Sequence, residues 1–124
     1  MGTELEHAGI TEKIIGAAFE VYNVLGYGFL ESVYQKAMQV ELQRAGLKCE
    51  IECPIKVRYK SAIVGDFRAD LFVDGVVIVE LKTAKNLNPD DEPQLLNELK
   101  ASGVKVGLLI NFGRTKVEFE RRIF

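Results

Sequence analysis

An acid inside an apolar strand constrains this chain more than any other feature. The run Val76-Val77-Ile78-Val79-Glu80-Leu81 reads as a central strand buried on both faces, except at Glu80. A lone buried carboxylate costs several kcal/mol or shifts its pKa until it is neutral. The fold must therefore bring something to Glu80. Just before the run, Asp74-Gly75 is a strong hairpin turn, so a strand over residues 63–73 folds back alongside. Side chains alternate along a strand. Phe67, Ala69, Leu71 and Val73 then face one way, and Arg68 and Asp70 the other. The hairpin lays Asp70 near Glu80, while Lys82 shares a face with Glu80, Val76 and Ile78.

An acidic pair and a lysine thus converge on one patch, and two readings account for it. In the first, Glu80 forms an ion pair with Lys82 or with Arg68 across the hairpin, a weak stabiliser when buried. In the second, Asp70 and Glu80 hold a divalent cation, because hard cations take carboxylate oxygen. Lys82 would then orient a water or hold a phosphate, which makes a phosphodiester hydrolysis site.

The rest of the chain supplies a scaffold. Ile10, Ile14, Ile15, Ala18, Val21, Tyr22 and Leu25 recur at helical spacing, and Gly26-Tyr27-Gly28 ends that helix. A second helix is expected from about Phe29 to Ala45, with Leu30, Val33, Tyr34, Ala37, Met38 and Leu42 as its apolar arc. Residues 49–59 alternate around Pro54, which suggests an edge strand or a bulge. After the 76–83 strand, Asn88-Pro89-Asp90 supplies a turn into a third helix over about Asp91 to Ser102. Val104 to Asn111 reads as a buried strand and 116–124 as a last one. The order α-α-β-β-β-α-β-β is a mixed α/β (α+β) domain, with strands three and four parallel across the third helix.

With 124 residues and 13.9 kDa, the expectation is one domain over 1–124. Hydrophobic residues at 48% and charged residues at 27% argue against disorder. No apolar run approaches the roughly 20 residues of a membrane span, and the first residues lack a signal-peptide pattern, so a cytoplasmic protein is expected. Cys49 and Cys53 read as reduced thiols on one strand face, with His7 as the single histidine and no metal-ligand spacing. The net charge of -2 disfavours a tight electrostatic nucleic-acid binder. The charge is uneven, however. Residues 1–47 carry three basic and six acidic side chains, and residues 48–124 carry 13 and 12. Any polyanion site should therefore lie in the second part. Lys56, Arg58 and Lys60 project from one face there, either as a solvated surface or as a phosphate-tracking stripe. Arg114, Lys116, Arg121 and Arg122 could extend it.

Asp70, nine intervening residues and Glu80-Leu81-Lys82 resemble the core of the PD-(D/E)XK nucleases. Upstream, Gly28-Phe29-Leu30-Glu31-Ser32-Val33-Tyr34 is similar to the pattern that names the GxxExxY family, a branch of that superfamily. Lys13-Ile14-Ile15-Gly16-Ala17-Ala18, Arg68-Ala69-Asp70-Leu71 and Val106-Gly107-Leu108-Leu109-Ile110-Asn111-Phe112 extend the likeness over about residues 10–123. The resemblance implies a restriction-endonuclease-like core. It implies Mg²⁺ (or Mn²⁺) held by Asp70, Glu80 and the Leu81 carbonyl, with Glu31 in support. It further implies that Lys82 positions the attacking water and that Gln94 lies near substrate phosphate or the metal. Glu98 departs from it, standing where an aromatic residue is expected.

The residues themselves leave Glu31 open. It falls beside the apolar arc, yet with Gly28 as N-cap it would be the third helical residue, where a glutamate satisfies free N–H groups. Tyr34 reads as core packing. The leading expectation is a nuclease acting on DNA or RNA. The alternative is a non-catalytic module that binds nucleic acid or protein, and a nucleotide hydrolase is a third. Cutting both strands of a duplex needs two sites, so a homodimer or a targeting partner is expected.

Overall fold

Two helices precede the sheet and one crosses it. The computed structural model describes residues 6–88, 90 and 93–124. In chain order these form α1 (Ala8–Leu25), α2 (Glu31–Arg44), β1 (Cys49–Tyr59), β2 (Ala62–Val73), β3 (Val77–Lys82), α3 (Pro93–Ser102), β4 (Val106–Phe112) and β5 (Val117–Ile123). The expected turn at Pro89 and the first residues expected in α3, Asp91 and Glu92, lie outside the described residues. Among the described residues, no helix is long and apolar enough to cross a membrane.

The five strands lie in sequence order, β1-β2-β3-β4-β5. All neighbours are antiparallel except β3 and β4, which run parallel because α3 carries the chain back between them. This is the mixed sheet anticipated above, and Pro54 sits on the edge strand where a missing N–H does least harm. Asp74 and Gly75 take φ of 52° and 69°, and the Val76 N–H donates to the Val73 carbonyl at 3.0 Å, closing the β2–β3 hairpin.

The sheet separates two cores. On one side α1 and α2 pack Ile14, Val21, Tyr34, Met38 and Leu42 against Val77, Val79, Leu81, Leu108 and Phe112. On the other, Leu95 and Leu99 of α3 pack on Ile78, Leu109, Ile55 and Ala69. Gly107 on β4 permits that second contact. A Cβ there would come within 2.8 Å of Leu95 Cδ1 and 3.0 Å of Leu99 Cδ1.

Strict alternation fails in the β1–β2 ribbon. Leu71 and Val73 join the α1–α2 core, but Phe67 and Ala69, of the same parity, join the α3 core. On β1, Cys49 and Ile51 likewise belong to the first core, while Cys53 and Ile55 belong to the second. The two cysteines are free thiols on opposite sides of the sheet, not on one face. The register is unbroken across the change, with Ile51 opposite Leu71 and Cys53 opposite Ala69. Between them Glu52 takes a left-handed φ of 53°. Both strands exchange faces at this point without a slip in pairing.

Helix α2 also differs from expectation. Its N-cap is Leu30 rather than Gly28, with no side-chain cap, so Glu31 is the first helical residue. Leu30 is 76% exposed and Val33 lies at the surface, because the buried face runs through Tyr34, Gln35, Met38 and Leu42. Tyr34 is a core residue. It stacks on Phe112 at 4.3 Å, and its hydroxyl donates to the Gly26 carbonyl at 2.5 Å.

Two glycine substitutions test this packing. Gly107→Ala should destabilise the fold by about 1–3 kcal/mol, since two fully buried leucines have nowhere to retreat. Gly16→Ala, on the exposed side of α1 with nothing within 4 Å, should stabilise by about 0.5–1 kcal/mol. Urea denaturation reads both, and opposite signs are the expected outcome.

Candidate active site

Asp70 and Glu80 meet where the β2–β3 ladder ends. Backbone pairing runs through Val73↔Val77, Phe72↔Ile78 and Leu71↔Val79. One step further on, side chains take over. The Asp70 N–H donates to Glu80 Oε2 at 3.2 Å, and the Leu81 N–H donates to Asp70 Oδ2 at 2.7 Å. Each strand's acid thus accepts an amide hydrogen from the other strand. Beyond this point no β2–β3 pairing continues, while β2 stays paired with β1 and β3 with β4.

Glu80 points toward α3. Gln94 Nε2 donates to Glu80 Oε1 at 3.3 Å and to Glu98 Oε2 at 3.1 Å. Glu98 is fully buried, and its Oε1 has no hydrogen-bond partner. Burial, contact with the Glu98 carboxyl and the nearby charges of Asp70 and Glu98 push the Glu80 pKa up to about 10. Ion pairs among the described residues include Lys48–Glu50, Lys56–Asp66 and Arg122–Glu120, and none includes Glu80. The pairing with Lys82 or Arg68 is therefore not formed. Arg68 instead donates to the Glu52 carbonyl at 3.4 Å.

Asp70 borders a second environment. A cavity of about 180 Å³ is lined by Glu31, Ser32, Gln35, Glu52, Asp70 and Leu81. Gln35 Nε2 bridges two strands here, donating to Glu52 Oε2 at 3.2 Å and to the Asp70 carbonyl at 3.0 Å. Burial raises the Asp70 pKa, opposed by the Leu81 N–H. Partial burial and the Asp70 charge raise that of Glu31, while the half-buried Lys82 lowers it. Lys82 acts on Asp70 in the same sense, so it stands within electrostatic reach of both acids.

The structure thus brings Asp70, Glu80, Leu81 and Gln94 into direct contact and sets Glu31 and Lys82 around them. Two participants were not anticipated. Glu52 stands opposite Asp70 in the hairpin register, but counting back from the 59–62 turn would put it opposite Ala69, because the register shifts by one between Val57 and Arg58. Gln35 gives no signal beyond being a polar residue on the inner face of a helix. Asp70 and Glu80 offer carboxylate oxygens, and among the described residues neither is in an ion pair, a donor chemistry that suits a hard divalent ion. Among the described residues, no group of three or more His, Cys, Asp or Glu side chains closes to metal-holding distance.

The basic residues do not form one stripe. Lys56 and Arg58 line a cleft against α3. Lys60 lies at the β1–β2 turn, its Nζ 5.4 Å from the centre of the Tyr59 ring. Arg114 and Lys116 belong to the β4–β5 turn, where the Arg114 N–H donates to the Lys85 carbonyl just after β3. Arg121 and Arg122 lie on β5, the edge opposite β1. Arg121 donates to the Glu6 carbonyl and Arg122 pairs with Glu120 at 3.0 Å.

A sequence model of the PD-(D/E)XK nuclease superfamily matches residues 8–122. Among solved structures, one titled "Crystal structure of SSO0001" superposes with a TM-score of 0.60 at 14% identity. The match covers 98% of this chain and 60% of that one, and at this identity it speaks for the fold alone. A search of curated proteins finds no significant match.

The raised Glu80 pKa has a consequence for stability. A carboxyl whose folded pKa exceeds its unfolded value near 4.5 stabilises fully below that value and loses its contribution as pH rises toward about 10. With a chelator present, unfolding free energy should fall between pH 6 and pH 9. Glu80→Gln, which cannot ionise, should show a shallower fall and exceed the wild type at pH 9. Parallel pH profiles from urea denaturation would contradict this.

Proposed function

We propose, from the premise that the chain belongs to the PD-(D/E)XK nuclease superfamily, that it is a metal-dependent phosphodiester hydrolase acting on nucleic acid. The observation that carries this reading is the reciprocal Asp70–Glu80 contact, two partly desolvated acids with no ion-paired cation. Asp70, Glu80 and the Leu81 carbonyl are the groups to hold Mg²⁺ or Mn²⁺, with Glu31 in support from the first turn of α2. The bound ion would supply Lewis acidity and local charge neutralisation.

The protein's own groups do the rest. Lys82, within electrostatic reach of Asp70 and Glu31, would orient the attacking water and stabilise negative charge developing on phosphate. Gln94 spends both amide hydrogens on carboxylates, one on Glu80 and one on Glu98, and so holds Glu80 in place. The hydrogen bonds from the Asp70 and Leu81 amides fix each carboxylate before substrate arrives. The Gly28-Phe29-Leu30-Glu31-Ser32-Val33-Tyr34 segment supports placement in the GxxExxY branch. In that segment Tyr34 braces the α1–α2 turn and Glu31 faces the cavity beside Asp70. One chain carries one such site, so a double-strand cut would use two copies.

Titration calorimetry with Mn²⁺, followed by cleavage assays on DNA and RNA, tests the reading. The wild type should bind the ion and cleave. Asp70→Asn should lose both, and Lys82→Ala should keep the ion while cleaving roughly 10²–10³-fold more slowly. Equal cleavage by all variants would exclude the site. Nucleic-acid binding without cleavage under any divalent ion would instead identify a binding module on a nuclease fold.

A further inference from the structure

Outside the carboxylate site, a cleft of about 470 Å³ runs between the edge strand β1 and helix α3. Its walls are Lys56, Val57 and Arg58 from the strand and Asn97, Lys100 and Ala101 from the helix. Three consecutive residues of a regular strand would not share one wall. They do so here because the β1–β2 register shifts between Val57 and Arg58, and such a bulge re-aims side chains. Three cations line the cleft and no carboxylate does. The ion pair from Lys56 to Asp66 at 3.3 Å offsets one of them and leaves Arg58 and Lys100 as surplus charge. Arg58, Asn97 and Lys100 are all exposed.

The cleft is joined to the site through α3. The same helix that presents Lys100 to the cleft presents Gln94 to Glu80. Six residues separate the two, which is about 9 Å along a helix. Phosphates along one strand of a duplex are spaced about 3.4 Å along its axis, so an offset of about 9 Å corresponds to roughly three phosphates. The lining has no aromatic ring on which a base could stack. Cations with a small apolar floor suit a sugar–phosphate backbone read without regard to sequence.

We propose that the β1–α3 cleft holds the sugar–phosphate backbone of a nucleic-acid strand, with Arg58 and Lys100 as its principal contacts. That this strand is also the one cut rests on the hydrolase reading, but the binding itself does not. The net charge of -2 is no obstacle, because the contact is local and the acidic surplus lies in residues 1–47.

Fluorescence anisotropy with a labelled 20-nucleotide single-stranded DNA, the matching RNA and the duplex, all with a chelator present, tests this across a salt series. The Arg58→Ala/Lys100→Ala double variant should bind at least tenfold more weakly than the wild type. Its salt slope should fall by about 1.4 for single strands or about 1.8 for the duplex, the release expected for two lost phosphate contacts. Lys13→Ala, an exposed lysine on α1, should bind as the wild type does. The tightest of the three probes identifies the polymer. Unchanged affinity and slope in the double variant, or no binding of any probe by the wild type, would overturn the proposal. Asp70→Asn separates the two readings. If neither it nor the wild type cleaves while the double variant still loses binding, the cleft stands and the hydrolase falls.

Discussion

Two carboxylates complete a β-ladder that the backbone abandons. Where β2 and β3 part, Asp70 and Glu80 each accept an amide hydrogen from the opposite strand. A buried N–H without a partner is costly, so these acids have structural work of their own. The arrangement has its own tension. Glu80 is surrounded by low-dielectric packing and a second acid, Glu98, and its charged form is strongly disfavoured. Such local inconsistency stands out amid otherwise consistent patterning, and it is what makes Glu80 the position on which the proposed site rests.

Much of this was legible from residue order. The Asp74-Gly75 turn and the apolar run after it dictate the β2–β3 hairpin, and the hairpin dictates the Asp70–Glu80 encounter. The helix between two strongly apolar strands requires the parallel crossover. Most of what residue order did not show traces to one place. The exchange of faces coincides with one left-handed dihedral at Glu52, and glutamate carries no propensity that announces it. Because parity arguments assume an unbroken strand, they put Cys49 with Cys53 and Ala69 with Leu71, and both pairings failed at the same place. Glu52 entered the site for that reason, and Gln35 followed to satisfy it. The cap of α2 escaped because Leu30 holds that place without any side-chain hydrogen bond.

Helix α3 links the chemistry to its surroundings. Its apolar edge, Leu95 and Leu99, seats against β4 through the gap left by Gly107. Its N-terminal Gln94 and its buried Glu98 reach Glu80, and its outer residues face the cationic cleft. Its depth against the sheet therefore sets the Gln94–Glu80 hydrogen bond and the width of the cleft together.

The face exchange at Glu52 and Asp70 divides the β1–β2 ribbon into an inner and an outer length. The inner length is committed to the α1–α2 core. The outer one turns through Lys60 and Ser61, both with left-handed backbones, and ends among exposed Tyr59, Ile63 and Val64. A pair of residues added at that tip would lengthen the ribbon without disturbing the pairing at Asp70. A single residue added between Glu52 and the tip would displace every contact outward of it. The tip is thus the part of this molecule that can vary in length while the carboxylates stay where they are.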